Sequence, residues 1–235
     1  MIPSPPPSSL IETSRLKLLI DSPDIIAWQR LLPSGLFYGV TTNPKLLAQA
    51  GEPCTVNNLA RLSRAAFSLG AGEIHLQVWG LEAEKMIEIG RQLAEIDSRV
   101  MVKVPATAEG YRAARLLINQ GVSVTLTAMH SAVQVLAAIA LGARYAVPYL
   151  GRMSDARLDA VAEVIAMQEI LEHHPGPTQI LLASIRQIDQ IVTLARHGVS
   201  VFTLLPKLAE QFIDNPLSLR AAEEFEANVS SLAGN

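Results

Sequence analysis

The stretch VMVKVPATAEGYRAARLLINQG, residues 100–121, reads as one strand, one turn and one helix. Val100, Met101, Val102 and Val104 form a short, mostly β-branched apolar run that Pro105 ends, the pattern of a buried strand. Beyond Glu109 and Gly110, residues Ala113, Leu116, Leu117 and Gln120 recur at helical spacings of three or four, and Gly121 stands where a helix stops. One residue breaks the apolar run. Lys103 sits in its middle, where an ammonium without a partner is costly to bury. A desolvated lysine that is neutral for part of the time can attack a carbonyl and form a Schiff base, whereas an edge-strand lysine simply extends its head group to solvent. The stretch alone leaves both readings open.

The same alternation occurs eight times along the chain. The expected strands are residues 16–20, 37–41, 73–78, 100–104, 122–126, 143–147, 179–183 and 199–204, with helical stretches between them, such as HSAVQVLAAIALGA after the fifth. Continuous apolar runs each followed by a helix indicate a parallel sheet covered on its outer face. Eight units make a closed (β/α)8 TIM barrel the first choice and an open doubly wound sheet the second. No linker or composition shift divides residues 16–235, so they are expected to form a single α/β barrel domain with an additional C-terminal helix. Residues 1–15, rich in proline and serine, read as an extended arm with neither the basic nor the apolar region of a signal peptide.

Composition narrows the partners. Of the 235 residues 49% are hydrophobic and 17% charged, the balance of a folded soluble chain. A net charge of −3 gives no footprint for nucleic acid or an anionic membrane, so any anion must be held by a local cluster. The single cysteine, Cys54, permits no internal disulfide and fits a reducing, cytoplasmic setting. None of the five histidines stands at a metal-ligand spacing, and Gly70 and Gly72 do not make a dinucleotide fingerprint. No metal and no cofactor are expected.

In a barrel the active site lies where the strands end. Those ends carry Asp21; Thr41, Thr42 and Asn43; Gln77; Lys103; Thr125 and Thr127; Tyr149 with Arg152; Ser184 with Arg186; and Leu205 with Pro206. Taken singly, Asp21 could cap a helix and Asn43 could make a turn before Pro44. Seven polar ends gathered on one rim around a buried lysine favour a site.

Set in order, LLIDSPD, GVTTNP, LQV, VKVPATAEG, LTA, VPYLGR, ASIR and TLLPKLAEQF resemble the small transaldolase family, most closely its fructose-6-phosphate aldolase-like branch, over nearly everything from residue 16 onward. The resemblance implies Lys103 as the Schiff-base lysine for a ketose or dihydroxyacetone-type donor. It implies Asp21 at the sugar hydroxyls, taking a proton from the one that becomes the aldehyde. Thr42 and Asn43 would bind the donor, Gln77 and Thr127 would position a water, and Tyr149 would share that water as acid or base toward the enamine. Glutamine and tyrosine at positions 77 and 149 go with the lyases of the family, and glutamate and phenylalanine with its transferases. A tyrosine hydroxyl can protonate the enamine, which favours an aldolase over a transaldolase here.

Arg152, Ser184 and Arg186 suit a phosphate monoester, since guanidinium forks and a hydroxyl match its oxygens, although either arginine could instead pair with Asp155 or Asp189. Placing phosphate after the sixth and seventh strands rests mainly on the resemblance. Ile185 departs from the family, which has an aromatic residue there, and His130 lies in a variable loop. A phosphosugar isomerase on the same barrel would need a carboxylate base, and a non-catalytic sugar-phosphate-binding barrel would have no use for Lys103. In the last stretch, Leu217, Ala221, Phe225 and Val229 form one apolar stripe. The resemblance implies that it reaches a neighbouring subunit in a homo-oligomer, a pentamer or decamer, of an enzyme of carbohydrate metabolism linked to the pentose phosphate pathway.

Overall fold

Eight parallel strands pair in chain order and close on themselves: β1 (Lys17–Asp21), β2 (Phe37–Thr41), β3 (Glu73–Gln77), β4 (Val100–Pro105), β5 (Val124–Met129), β6 (Tyr145–Pro148), β7 (Gln179–Leu182) and β8 (Val201–Leu204). The computed structural model describes residues 16–233, so the N-terminal arm expected over 1–15 lies outside the described residues. Closure is made by β1 and β8, where Leu18 pairs with Phe202 and Ile20 with Leu204. That pairing settles the choice between barrel and open sheet.

Helices connect the strands: α1 (Ile25–Leu31), α2 (Pro44–Gln49), α3 (Val56–Ser68), α4 (Ala83–Ala94), α5 (Ala108–Asn119), α6 (Val133–Leu141), α7 (Leu150–Asp155), α8 (Ala160–His173), α9 (Ile188–Arg196), α10 (Pro206–Glu210) and α11 (Pro216–Ala233). Three strands begin two residues later than expected, for one reason. Gly121, Gly142 and Gly198 adopt the left-handed conformation at the ends of α5, α6 and α9. The next amide in each case, that of Val122, Ala143 or Val199, donates back to the carbonyl of Leu117, Ala138 or Leu194. These apolar residues seal a helix end instead of opening a strand.

The VKVPATAEG segment shows why strand and helix join as they do. Thr107 caps α5 by accepting from the amide of Gly110, and the Glu109 carboxylate accepts from the Ala83 amide at the start of α4. A Cβ on Gly110 would stand 1.8 Å from the Pro105 carbonyl oxygen, so only glycine fits this approach. The main core lies between the strands and the helices, with Trp28, Leu62, Leu93, Leu117 and Val164 fully buried. Inside the barrel a smaller apolar set, Leu19, Tyr145, Val147, Leu181, Ala183 and Val201, fills one side. The other side is polar.

Candidate active site

A cavity of about 320 Å³ opens at the C-terminal ends of the strands, with Asp21, Asn43, Lys103, Tyr149, Arg152, Ser184 and Arg186 in its wall. Ile185, Thr203 and Leu205 line it as well, together with Lys45, Gln49 and Asp155, which come from helices and were not expected at the rim. Thr42, Gln77 and Thr127 do not line it; they connect to it through Lys103 and Tyr149, Thr42 by hydrogen bond to Lys103, Gln77 by strand pairing with Lys103 and Thr127 by its contact with Tyr149.

Lys103 is 3% exposed, which rejects the solvent-reaching alternative. Its Nζ donates to the main-chain oxygen of Thr42 at 2.9 Å. Within GVTTNP, four residues shape the site. Gly39 lies so close to β3 that a Cβ would meet the Glu73 carbonyl at 2.4 Å. Thr41 donates to Asp21 Oδ1 at 2.6 Å and pairs with Thr203 at 2.7 Å. Thr42 offers its carbonyl to Lys103, and its own buried hydroxyl makes no hydrogen bond among the described residues. Asn43 caps α2 by accepting from Leu46, so its Oδ1 is committed and its amide N–H groups are left to face the cavity. Asp21 is not a helix cap; Asp24 fills that role for α1. Burial raises the Asp21 carboxyl above its ordinary value, while the charge of Lys103 and the Thr41 hydrogen bond oppose the shift without cancelling it.

Tyr149 stands beside Lys103 in the cavity wall, and its hydroxyl lies 2.9 Å from Thr127 Oγ1. Gln77 pairs with Lys103 in register, and its side-chain oxygen is buried with no donor among the described residues. Ala128, next to Thr127, has φ 62°, which shifts the β5–β6 register and turns the strand end. The edge of the His130 ring meets Tyr149 at 5.7 Å between centroids. His173, by contrast, bonds the Glu169 carbonyl at a helix end far along α8.

At the opposite end of the cavity, Ser184 takes φ 61°, a strained conformation for a residue with a side chain, costing about 1–3 kcal/mol. Gly151 makes it possible: a Cβ there would stand 2.6 Å from the Ser184 oxygen and 2.8 Å from Arg186 Nε. The Arg186 fork holds Asp155 through contacts of 2.8 and 2.6 Å, the pairing raised as an alternative from sequence. Arg186 in turn keeps the Asp155 carboxyl below its ordinary value. Arg152 stacks its guanidinium 4.9 Å from the Tyr149 ring centroid.

Beneath Lys103 lies a buried polar chain that sequence reasoning missed. His75 Nδ1 meets Thr125 Oγ1 at 3.0 Å, His75 Nε2 meets Glu73 Oε1 at 3.0 Å, and Tyr145 donates to Glu73 Oε2 at 3.2 Å. Burial lowers the His75 value and outweighs the Glu73 carboxylate, so the imidazole is neutral, accepting from Thr125 and donating to Glu73. At Glu73 burial pushes upward, but the hydrogen bond from His75, the charge of Lys17 and the Tyr145 hydrogen bond bring the carboxyl below its ordinary value. The signal was present in EIHLQV, where Glu73, His75 and Gln77 alternate onto one face.

Comparison with known proteins gives the family. The profile of the family described as Transaldolase/Fructose-6-phosphate aldolase matches residues 18–234. A probable transaldolase of Cereibacter sphaeroides is 33% identical over 213 residues, covering 91% of this chain and 95% of that protein. One from Parvibaculum lavamentivorans is 34% identical over 214 residues, covering 91% and 96%. Among solved structures, a thiamine phosphate pyrophosphorylase from Pyrococcus furiosus superposes with a TM-score of 0.59 at 13% identity, over 84% of this chain and 93% of that one. That likeness speaks for the barrel alone.

Proposed function

The chain belongs to the transaldolase/fructose-6-phosphate aldolase family, and on that premise we propose that it is a class I aldolase acting on a ketose phosphate such as fructose 6-phosphate. The observation that carries this reading is the buried amine of Lys103 opening on a cavity that also holds Asp21 and Tyr149. Lys103 Nζ adds to the ketose carbonyl, and water leaves to give a protonated imine. Asp21 takes the proton of the C4 hydroxyl as the C3–C4 bond breaks; the aldehyde departs and the bonding electrons pass into an enamine. Tyr149 protonates the enamine carbon, and water returns to the imine carbon to free the three-carbon ketone and Lys103.

Gln77 and Thr127 position that water, supported by the unpartnered Gln77 oxygen and the Thr127–Tyr149 bond. Thr42 aims Lys103 through its carbonyl, and the amide of Asn43 binds the donor. Arg152, Ser184 and Arg186 receive the phosphate. A phosphorylated substrate, which membranes retain, and a half-buried lone cysteine favour the cytoplasm; among the described residues no helix is long and apolar enough to cross a membrane.

The second reading is a transaldolase, in which the enamine is passed to an acceptor aldose phosphate; the relatives named probable transaldolases favour it. Cleavage of fructose 6-phosphate with and without erythrose 4-phosphate separates the two. Glyceraldehyde 3-phosphate and dihydroxyacetone formed without the acceptor support the aldolase. Product formed only with the acceptor makes the chain a transferase.

The assembly is read as a homo-oligomer, a pentamer or a pair of pentamers. Its support is α11, on which Leu217, Phe225 and Val229 are 73%, 67% and 60% exposed and among the described side chains only Ala221 is partly covered. An apolar stripe left in water gains by covering against a neighbour.

A further inference from the structure

We propose that Asp155 and Lys45 set the ligand selectivity of the phosphate end of the cavity. Asp155 is a resident carboxylate on the Arg186 fork that a dianionic phosphate monoester displaces and a monoanionic carboxylate does not, and Lys45 is a further cation that then closes on the phosphate. This rests on the reading of that end as the phosphate seat.

The charges around the seat are unequal. Besides Lys103 and Asp21, the cavity wall carries three cations, Lys45, Arg152 and Arg186, and one further carboxylate, Asp155. The surplus of two positive charges matches a phosphate monoester, which carries about −1.5 to −2 at neutral pH. Lys45 and Arg152 have no salt bridge among the described residues, while Arg186 spends both terminal nitrogens on Asp155. The pair is open to solvent, with the two side chains 53% and 58% exposed, and exposed ion pairs exchange readily. A Cβ on Gly151 would stand 2.8 Å from Arg186 Nε, so the approach of this side chain to the backbone of α7 needs glycine.

Selectivity comes from the exchange. A ligand carboxylate at Arg186 replaces one carboxylate with another and releases Asp155 beside it, for no net gain in charge-assisted bonds. A phosphate brings a third oxygen and a second charge, which Arg152 and Lys45 can take up. Lys45 reaches the seat because it follows Pro44 on α2, whose start Asn43 fixes, and Gln49 one turn on lines the same wall.

The test is isothermal titration calorimetry with glycerol 3-phosphate and with glycerate, which needs no turnover. The unaltered protein is expected to bind the phosphate ester and reject glycerate. Asp155→Asn is expected to tighten glycerate binding roughly tenfold, the scale of one charge-assisted hydrogen bond, and so to narrow the preference. Lys45→Gln is expected to weaken the phosphate ester several-fold with little effect on glycerate, and Lys45→Arg to restore it. If Asp155→Asn weakens both ligands, Asp155 merely holds Arg186 in place and the selectivity role is overturned. If Lys45→Gln leaves phosphate binding unchanged, the assignment of Lys45 is overturned. Absence of a covalent adduct on Lys103 would remove the aldolase reading while leaving these binding results standing.

Discussion

Lys103 Nζ rests on the main-chain oxygen of Thr42 at 2.9 Å, a bond between two motifs that lie 61 residues apart in the chain. The carbonyl fixes the direction of the amine without supplying a countercharge. Asp21 feels its charge but forms no ion pair with it among the described residues, and Asp21 itself is bonded to Thr41. An amine held in this way keeps a lone pair for a carbonyl carbon when it is deprotonated. Lys103→Met should therefore abolish reductive adduct formation and leave the fold as stable as before or more so, since it replaces a buried polar amine with an apolar side chain of similar length. Thermal unfolding checks the stability, and a variant that fails to fold contradicts the claim that the lysine serves chemistry.

Asp21 offers a pH test with a definite sign. Burial raises its carboxyl above 3.8, so the ionised form is less favourable folded than unfolded. The cost is absent below 3.8, develops as pH rises from there to the folded-state value, and is complete above it. Asp21→Asn should raise Tm at pH 7, by about 2–4 °C for each kcal/mol recovered, and show no gain near pH 3. Its rate of ketose cleavage should fall by about 10²–10⁴, the usual contribution of a general base. A lower Tm at neutral pH would contradict the burial cost assigned to Asp21.

The buried chain under Lys103 gives a prediction of the opposite slope. The His75 value is lowered from 6.5, so its contribution to stability is complete above 6.5 and is lost as pH falls below it; Glu73, lowered from 4.5, adds a further loss at more acid pH. In His75→Gln the amide still bonds Glu73 but does not titrate. Urea midpoints measured between about pH 5 and 7 should then flatten relative to the unaltered protein. Glu73→Ala, which strips His75 and Tyr145 of their acceptor, should cost about 3–5 kcal/mol.

Tyr149 and Thr127 share one hydrogen bond, and it bears on the fate of the enamine once the carbon–carbon bond is broken. Tyr149→Phe should lower the release of free dihydroxyacetone at least a hundredfold, by roughly the value of one proton donor, while transfer to erythrose 4-phosphate survives. Comparable loss of both activities would mean that Tyr149 serves binding and not protonation.

The exposed stripe on α11 is tested by ending the chain at Asn215. That variant should elute as a monomer with the circular dichroism of a barrel; unchanged elution would assign the assembly to another surface.

Most of the fold was legible because each strand is a short apolar run and each helix carries its period, as residues 100–121 show. Strand starts after α5, α6 and α9 were misplaced because Val122, Ala143 and Val199 are apolar residues used in helix caps, a distinction that burial patterns do not carry. At the site, the strand-end rule gathered the residues around Lys103, since end positions are a matter of counting along each run. Lys45 and Asp155 escaped it because they lie on the helices that follow the second and sixth strands, beyond the strand ends. Glu73 and His75 escaped because they lie at the start and middle of β3, away from the strand end, although their alternation with Gln77 already placed them on its inward face.

The role of Lys103 is decided by borohydride reduction in the presence of dihydroxyacetone or fructose 6-phosphate, followed by peptide mass spectrometry. A Schiff-base lysine at this position predicts one reduced adduct, on Lys103, which is absent in Lys103→Met. An unmodified Lys103, or an adduct only on exposed lysines such as Lys45 or Lys85, would contradict it.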